Sequence, residues 1–246
     1  MQNLKSEGRS RVLTLDITYK CNLACVNCSR ACGVAKTDEV MTIDQIKNMV
    51  DESINLKWQW KMIKLAGGEP TLHPDLLKII DILMNYRNKY SCIIQLCTNG
   101  IRKDIIDSVP KFEFIDISNS SKKNNNVTHH NLVYKAPIDF GLSIDYSKIP
   151  CNYVPICGIC LNRYGYYLSG GCAAIDRVFG FNIGVKTLNE VLNSEFKVLE
   201  NQQKILCPYC GHIWKKVSSS QIISETWKDI LKKYTNEKPQ LSIYGE

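Results

Sequence analysis

The chain has 246 residues, 12 of them cysteine, and a formal charge of +7. That length suits one full domain with a smaller appendage. No apolar run reaches the roughly 20 residues of a membrane-crossing helix, and the N-terminus lacks a secretory pattern, so the cytoplasm is the expected compartment.

The elements follow in chain order. Val12–Thr18 alternates strictly between apolar and polar residues, which predicts a strand. Cys21, Cys25 and Cys28 follow at once. Thr42 is placed to cap a helix whose apolar residues recur at Ile43, Ile46, Met49 and Ile54. A second strand over Met62–Ala66 ends in Gly67-Gly68-Glu69-Pro70, and a helix is expected over Pro74–Tyr86, with proline in its first turn. A third strand, Ser91–Thr98, ends at Asn99-Gly100; a short helix near Arg102–Ser108 and a fourth strand, Phe112–Ser118, come next. Asn119–Asn131, which carries His129 and His130, reads as a polar loop; Leu142–Asp145 has the pattern of one more short strand. Trp227–Tyr234 reads as a terminal helix followed by a frayed end.

Strands alternating with helices imply an α/β fold with a parallel sheet, a partial, shortened βα barrel. From about Cys151 the cysteines crowd together. The expected division is therefore a barrel over residues 1–150 and a small cysteine-rich β-hairpin and helix domain over 151–246.

Clustered cysteines in a reducing compartment argue for metal or cluster ligation rather than disulfides. In the spacing C-x3-C-x2-C, three thiolates of one short loop can wrap one face of an iron–sulfur cube and leave the fourth iron open to a small molecule. The competing reading is a zinc site, with Cys32 as the fourth ligand. Cys21-Asn-Leu-Ala-Cys25-Val-Asn-Cys28 together with Gly67-Gly68-Glu69-Pro70, each at the end of a strand, resembles the radical S-adenosylmethionine superfamily. The resemblance covers residues 12 to about 120. It implies a 4Fe-4S cluster on Cys21, Cys25 and Cys28 and S-adenosylmethionine at the open iron. Gly67, Gly68, Glu69 and Pro70 would lie along its methionine end, and Asn99, Ser118 and Asn119 would make further cofactor contacts. It also implies formation of a 5′-deoxyadenosyl radical and a flavodoxin- or ferredoxin-type electron donor. One departure is Asn27, where the family often carries an aromatic residue against the adenine.

A second group of cysteines lies downstream. With Tyr164-Gly165 as the centre of a two-residue hairpin, Cys157 faces Cys172 and Cys160 faces Ser169. Cys157, Cys172, Cys207 and Cys210 are therefore the preferred four-thiolate set, with Cys160 or Cys151 as alternates. Four thiolates suit zinc or a 4Fe-4S cluster. The hairpin, the helix-like stretch Thr187–Leu199 and the C-x2-C pair resemble the Twitch form of the SPASM extension, which implies a second, auxiliary 4Fe-4S cluster.

Alternation places Thr14, Asp16, Thr18, Lys64, Gln95, Cys97, Asp116 and Ser118 on one polar face, with Asp16 paired to Lys64. Asp176 and Arg177 are candidates for substrate binding. The expected activity is a two-electron oxidation of a small polar molecule or peptide assisted by the auxiliary cluster. One alternative is a redox-neutral epimerase or peptide-modifying enzyme with Cys97 as hydrogen donor. The other is a non-enzymatic zinc-ribbon module. The positive charge is weak evidence for nucleic acid, since bound clusters cancel part of it.

Overall fold

The computed structural model describes residues 11–25, 28–109, 115–119, 134–141, 144–146, 157–213 and 223–246, the stretch 115–119 by its backbone only. Asn27, Cys151 and the run 120–131 lie outside them, and so do the side chains of Asp116, Ser118 and Asn119.

Among the described residues, six strands form one sheet: β1 (Val12–Thr18), β2 (Met62–Gly67), β3 (Ile93–Thr98), β4 (Ile115–Asn119), β5 (Ile159–Asn162) and β6 (Gly165–Tyr167). Their order is β4-β3-β2-β1-β5-β6. The first five run parallel and β6 returns antiparallel to β5. Strands that neighbour each other in both sequence and space, joined by helices, are the open segment of a βα barrel. The helices are α1 (Ile43–Asn55), α2 (Leu76–Tyr90), α3 (Lys103–Ser108), α4 (Gly170–Phe179), α5 (Leu188–Asn193), α6 (Lys197–Leu206) and α7 (Glu225–Asn236).

The start of α1 follows from sequence-local chemistry. The Thr42 hydroxyl accepts from the Gln45 N–H at 3.1 Å, and the Gln45 side chain accepts from the Thr42 N–H at 3.0 Å, a reciprocal capping box. The core lies between α1, α2 and the sheet. Leu13, Leu15, Ile17, Ile63, Leu65, Ile94 and Leu96 are wholly buried there with Ile46, Met49, Ile79 and Leu83. Burial of each such side chain contributes ~1.5–3 kcal/mol. On the opposite face of β2 and β3, Lys64, Ala66, Gln95 and Cys97 remain partly exposed. At β2 and β3 the sheet thus has one apolar, helix-covered face and one open polar face, whereas Thr14, Asp16 and Thr18 on β1 are buried.

Several expectations are corrected. α2 begins at Leu76, beyond Pro74, and runs to Tyr90, where Ser91 ends it in the left-handed conformation at φ 52°. Thr187–Leu199 is not one helix: α5 and α6 are separated at Phe196, which has φ 68°. Residues 142 and 143 lie outside the described residues, and Ile144 and Asp145 carry no strand. The β5–β6 hairpin extends the main sheet, since Leu13, Thr14 and Leu15 of β1 pair with Ile159, Cys160 and Leu161 of β5. The C-terminal end is packed rather than frayed. Tyr244 is wholly buried, its hydroxyl donates to Glu52 at 2.6 Å, and its carbonyl accepts from the Gln45 side chain at 2.8 Å.

The hairpin turn also sits one residue earlier than expected, which moves each cross-strand partner by two. Cys160 pairs with Tyr167, Leu161 with Tyr166 and Asn162 with Gly165, so Arg163 and Tyr164 form the turn. The Asn162 side chain closes that turn by accepting from the Tyr164 N–H at 2.7 Å. Gly165 is needed for a different reason. At φ 133°, a Cβ there would stand 2.6 Å from the Val185 carbonyl oxygen, where residues 184–185 pass close by.

Candidate functional site

The site begins where β1 and β2 end side by side. The Gly68 N–H donates to the Thr18 carbonyl at 2.7 Å, and the Glu69 N–H to the Lys20 carbonyl at 2.8 Å. A Cβ on Gly67 would meet the Thr18 oxygen at 2.2 Å, and one on Gly68 the Lys20 oxygen at 2.3 Å. The two glycines therefore let β2 lie flush against the three residues that lead into Cys21.

Glu69 then ties the strand ends together. It is 1% exposed. Its Oε1 accepts from the Thr71 N–H (3.1 Å), the Thr71 hydroxyl (2.6 Å) and the Thr98 hydroxyl (2.7 Å). Its Oε2 accepts from the Asn99 N–H at 2.7 Å. Glu69 is thus a clamp across the ends of β2 and β3, with acceptor capacity left on Oε2. Pro70 is buried in the short turn Pro70–Leu72 that this carboxylate caps. The Asn99 side chain donates to Asn22 at 2.8 Å, so the end of β3 also holds the cysteine loop.

Cys21, Cys25 and Cys28 are partly exposed on that loop. The Cys21 sulfur accepts from the Leu23 N–H at 3.4 Å. Burial pushes the Cys21 thiol up to about 11, and nearby Cys28, Glu69 and Cys25 add to the rise. The loop is anchored behind Cys28, whose carbonyl accepts from the Tyr134 hydroxyl at 3.0 Å and the Ala31 N–H at 2.9 Å. Cys32 is buried, and its thiol donates to the Arg30 carbonyl at 3.7 Å. Among the described residues no three Cys, His, Asp or Glu side chains converge on a single-ion site. A 4Fe-4S cube asks for something different, one thiolate for each of three irons. Three accessible sulfurs on one anchored loop at a strand end fit that donor set.

The second set of cysteines comes from three segments: the residues before β5, the start of α4 and the turn after α6. Cys172 lies in the first turn of α4, its N–H capped by the Ser169 hydroxyl at 3.3 Å, and not on a strand. A hydrogen bond with Cys207 lowers the Cys172 thiol below its ordinary value, against burial. Cys207 opens a short turn whose end is closed by the Cys210 N–H donating to the Cys207 carbonyl at 3.1 Å. The Trp227 indole N–H donates to the Tyr209 carbonyl at 2.8 Å and backs this turn. Cys157 is partly exposed just before β5, its carbonyl accepting from the Thr14 hydroxyl at 2.6 Å. Cys160 is wholly buried on β5, its thiol hydrogen-bonded to Asp16 and pushed well up by burial. Its environment is that of an interior thiol.

The ion pair of Asp16 is made with Arg30, at 3.1 Å, rather than with the expected Lys64. Arg30 was not singled out by the sequence, because nothing local marks a partner 14 residues away. Asp176 and Arg177 are interior. Asp176 accepts from the Tyr167 hydroxyl at 2.6 Å, and Arg177 donates to Ala35 O at 3.1 Å, the Tyr234 hydroxyl at 2.7 Å and Arg30 O at 3.0 Å. Lys64, Gln95 and Cys97 do share the open face, with the Cys97 thiol 3.7 Å from Gln95 Oε1. Lys64, Gln95 and Asp116 are successive register partners across β2, β3 and β4.

Comparison with known proteins bears on both motifs of the first site. The family model described as the radical SAM superfamily matches residues 15–119. Mycofactocin maturase MftC of Mycobacterium tuberculosis (strain ATCC 25618 / H37Rv) is 31% identical over 107 residues, 43% of this chain and 26% of that one. The probable GTP 3′,8-cyclase of Methanocaldococcus jannaschii is 40% identical over 91 residues, 37% of this chain and 29% of that one. Both similarities therefore span less than a third of the relative's length. Among solved structures, BtrN in complex with AdoMet and 2-DOIA aligns over 86% of this chain and 95% of that one, at 15% identity and a TM-score of 0.49.

Proposed function

Residues 15–119 form a radical SAM superfamily domain, and from that premise we propose that the chain is an enzyme that removes a hydrogen atom from a polar substrate lying on the open face of its sheet. Cys21, Cys25 and Cys28 hold the 4Fe-4S cluster, and S-adenosylmethionine occupies the iron that they leave open. When bound and reduced, this pair supplies a 5′-deoxyadenosyl radical. Membership in this superfamily replaces the zinc-ribbon reading.

The observation that carries the proposal is the fastening of the cysteine loop. Gly68 and Glu69 bond to Thr18 and Lys20, and Asn99 to Asn22, so three thiols are presented at the ends of β1, β2 and β3. No helix among the described residues is long and apolar enough to cross a membrane. On the open face of β2 and β3, Lys64, Gln95 and Cys97 offer a cation, an amide and a thiol to a substrate bearing polar groups. A small polar molecule or a peptide fits such a face better than a lipid. The named relatives include a maturase and a cyclase.

Cys157, Cys172, Cys207 and Cys210 are the residues to hold an auxiliary 4Fe-4S cluster in a Twitch-like arrangement. The Cys172–Cys207 contact and the closed Cys207–Cys210 turn support this set. A cluster there would supply an electron acceptor for a net two-electron oxidation. A flavodoxin- or ferredoxin-type protein is the proposed source of the initiating electron.

Cys97 supports a second, redox-neutral reading, because it is partly exposed on the same open face. A thiol there can return a hydrogen atom to a substrate carbon. Under that reading a Cys97→Ala variant stops forming inverted product. Unchanged product formation would remove Cys97 from the mechanism.

The test is iron, sulfide and 5′-deoxyadenosine after anaerobic reconstitution, with a Cys21/Cys25/Cys28→Ala variant alongside. About eight irons falling to about four, with 5′-deoxyadenosine lost, is the expected result. Undiminished 5′-deoxyadenosine in the variant would overturn the assignment of the first site.

A further inference from the structure

Arg30 stands between the two cysteine groups. It follows Cys28 by two residues, yet its guanidinium lies under the second group. Its side chain is 12% exposed and that of its partner Asp16 is 0% exposed. Nε stands 3.1 and 3.3 Å from the two carboxylate oxygens, and Nη2 donates to Oδ1 at 3.3 Å. Nη1 donates to the Ser29 hydroxyl at 3.0 Å.

The other side of the guanidinium is covered by a bare glycine. A Cβ on Gly170 would stand 2.4 Å from Nη2, 2.5 Å from Cζ and 2.7 Å from Nε. Gly170 lies two residues before Cys172, so any side chain there would drive the cation from its place. The Cys157 and Cys160 thiols are both within electrostatic reach of Arg30. Cys160 is hydrogen-bonded to the carboxylate end of the pair, through Asp16.

A buried Asp–Arg pair is a poor stabiliser, since desolvation of two charges offsets most of their attraction. An apolar pair of similar volume would serve the fold as well. The charge therefore calls for a use beyond stability. Net charge and hydrogen bonds near the sulfurs set the reduction potential of an iron–sulfur cluster, and a nearby cation favours the reduced, more negative state.

We propose that Arg30, held by Asp16 and seated on Gly170 two residues before Cys172, is a positioning residue that raises the reduction potential of the second cysteine site. The inference rests on the auxiliary-cluster reading above. It gives the catalytic loop a direct electrostatic connection to the proposed electron acceptor, because Arg30 belongs to the segment that carries Cys28.

The experiment is an EPR-monitored redox titration of the reconstituted holoenzyme, with iron counted in every sample. The auxiliary signal is identified as the one lost in a Cys207→Ser variant. Arg30→Gln is expected to shift that signal's midpoint to lower potential with iron unchanged. Arg30→Lys, which keeps the charge, stays nearer the wild type. Gly170→Ala, which displaces the guanidinium while leaving Arg30 in the sequence, shifts the midpoint in the same direction as Arg30→Gln and provides the reading if Arg30→Gln does not fold. About eight irons with the same midpoint in Arg30→Gln or in Gly170→Ala overturns the inference alone. About four irons in the wild type, with no signal dependent on Cys207, overturns the auxiliary-cluster reading and the inference with it.

Discussion

Replacing Glu69 by glutamine separates a clamp in the fold from an acceptor for the cofactor. The carboxylate takes four donors, three on Oε1 and one on Oε2. A glutamine keeps the most bonds by placing its oxygen at Oε1. Its NH2 group then faces the Asn99 N–H, donor against donor, and the 2.7 Å bond is lost. A bond to a charged acceptor contributes ~1.5–3 kcal/mol, and the other three weaken toward the ~0.5–1.5 kcal/mol of a neutral acceptor. The expected loss is about 3 kcal/mol or more. For a chain of this length 1 kcal/mol moves the thermal midpoint by roughly 2–4 °C, so Glu69→Gln should melt about 6–12 °C below the wild type. The assay is a thermal melt of anaerobically reconstituted protein, with S-adenosylmethionine binding measured on the same samples. A variant that melts within about 2 °C of the wild type while losing S-adenosylmethionine binding would refute the reasoning. Glu69 would then act on the cofactor and not on the strand ends.

Further expectations follow from individual contacts. Gly68→Ala sets a Cβ 2.3 Å from the Lys20 carbonyl; it should displace the cysteine loop and lose the iron of the first site while sparing the second, as read by iron content and EPR. Cys157→Ala should lose the second site's iron, whereas Cys160→Ala, at a wholly buried position hydrogen-bonded to Asp16, should keep it. Tyr244→Ala empties a wholly buried position and removes the bond to Glu52, so a destabilisation of ~3–5 kcal/mol is expected in a melt. Burial pushes the Tyr86 hydroxyl up to about 12, from a usual value of 10.0. A raised folded value means that its contribution is whole below pH 10 and is lost as pH rises from there toward 12. Unfolding measured across that range should show a downward slope that Tyr86→Phe reduces.

Much of the fold and of the first site is legible in the sequence, because the information is local. Alternation over Val12–Thr18 predicts β1 to the residue, and Thr42 with Gln45 sets the start of α1 through two bonds within four residues. The cysteine triplet and the run Gly67–Pro70 are legible because spacing along the chain is itself the chemical signal. Hairpin register, ion-pair partners and the course of the tail are not local. The sequence predicts the hairpin turn one residue beyond Arg163 and Tyr164, because Gly165 looks like a turn glycine. Its missing Cβ instead answers to Val185, 20 residues on, a neighbour that no pattern within the hairpin reveals. Asp16 meets Arg30 rather than Lys64 because the cysteine loop folds back over β1. The tail is held by Gln45 and Glu52, from the far side of the chain. Secondary structure and ligand spacing are decided over a few residues, where covalent geometry limits the choices. Register and charge pairing are decided by which distant segments come to share a surface, and only the folded chain brings those segments together.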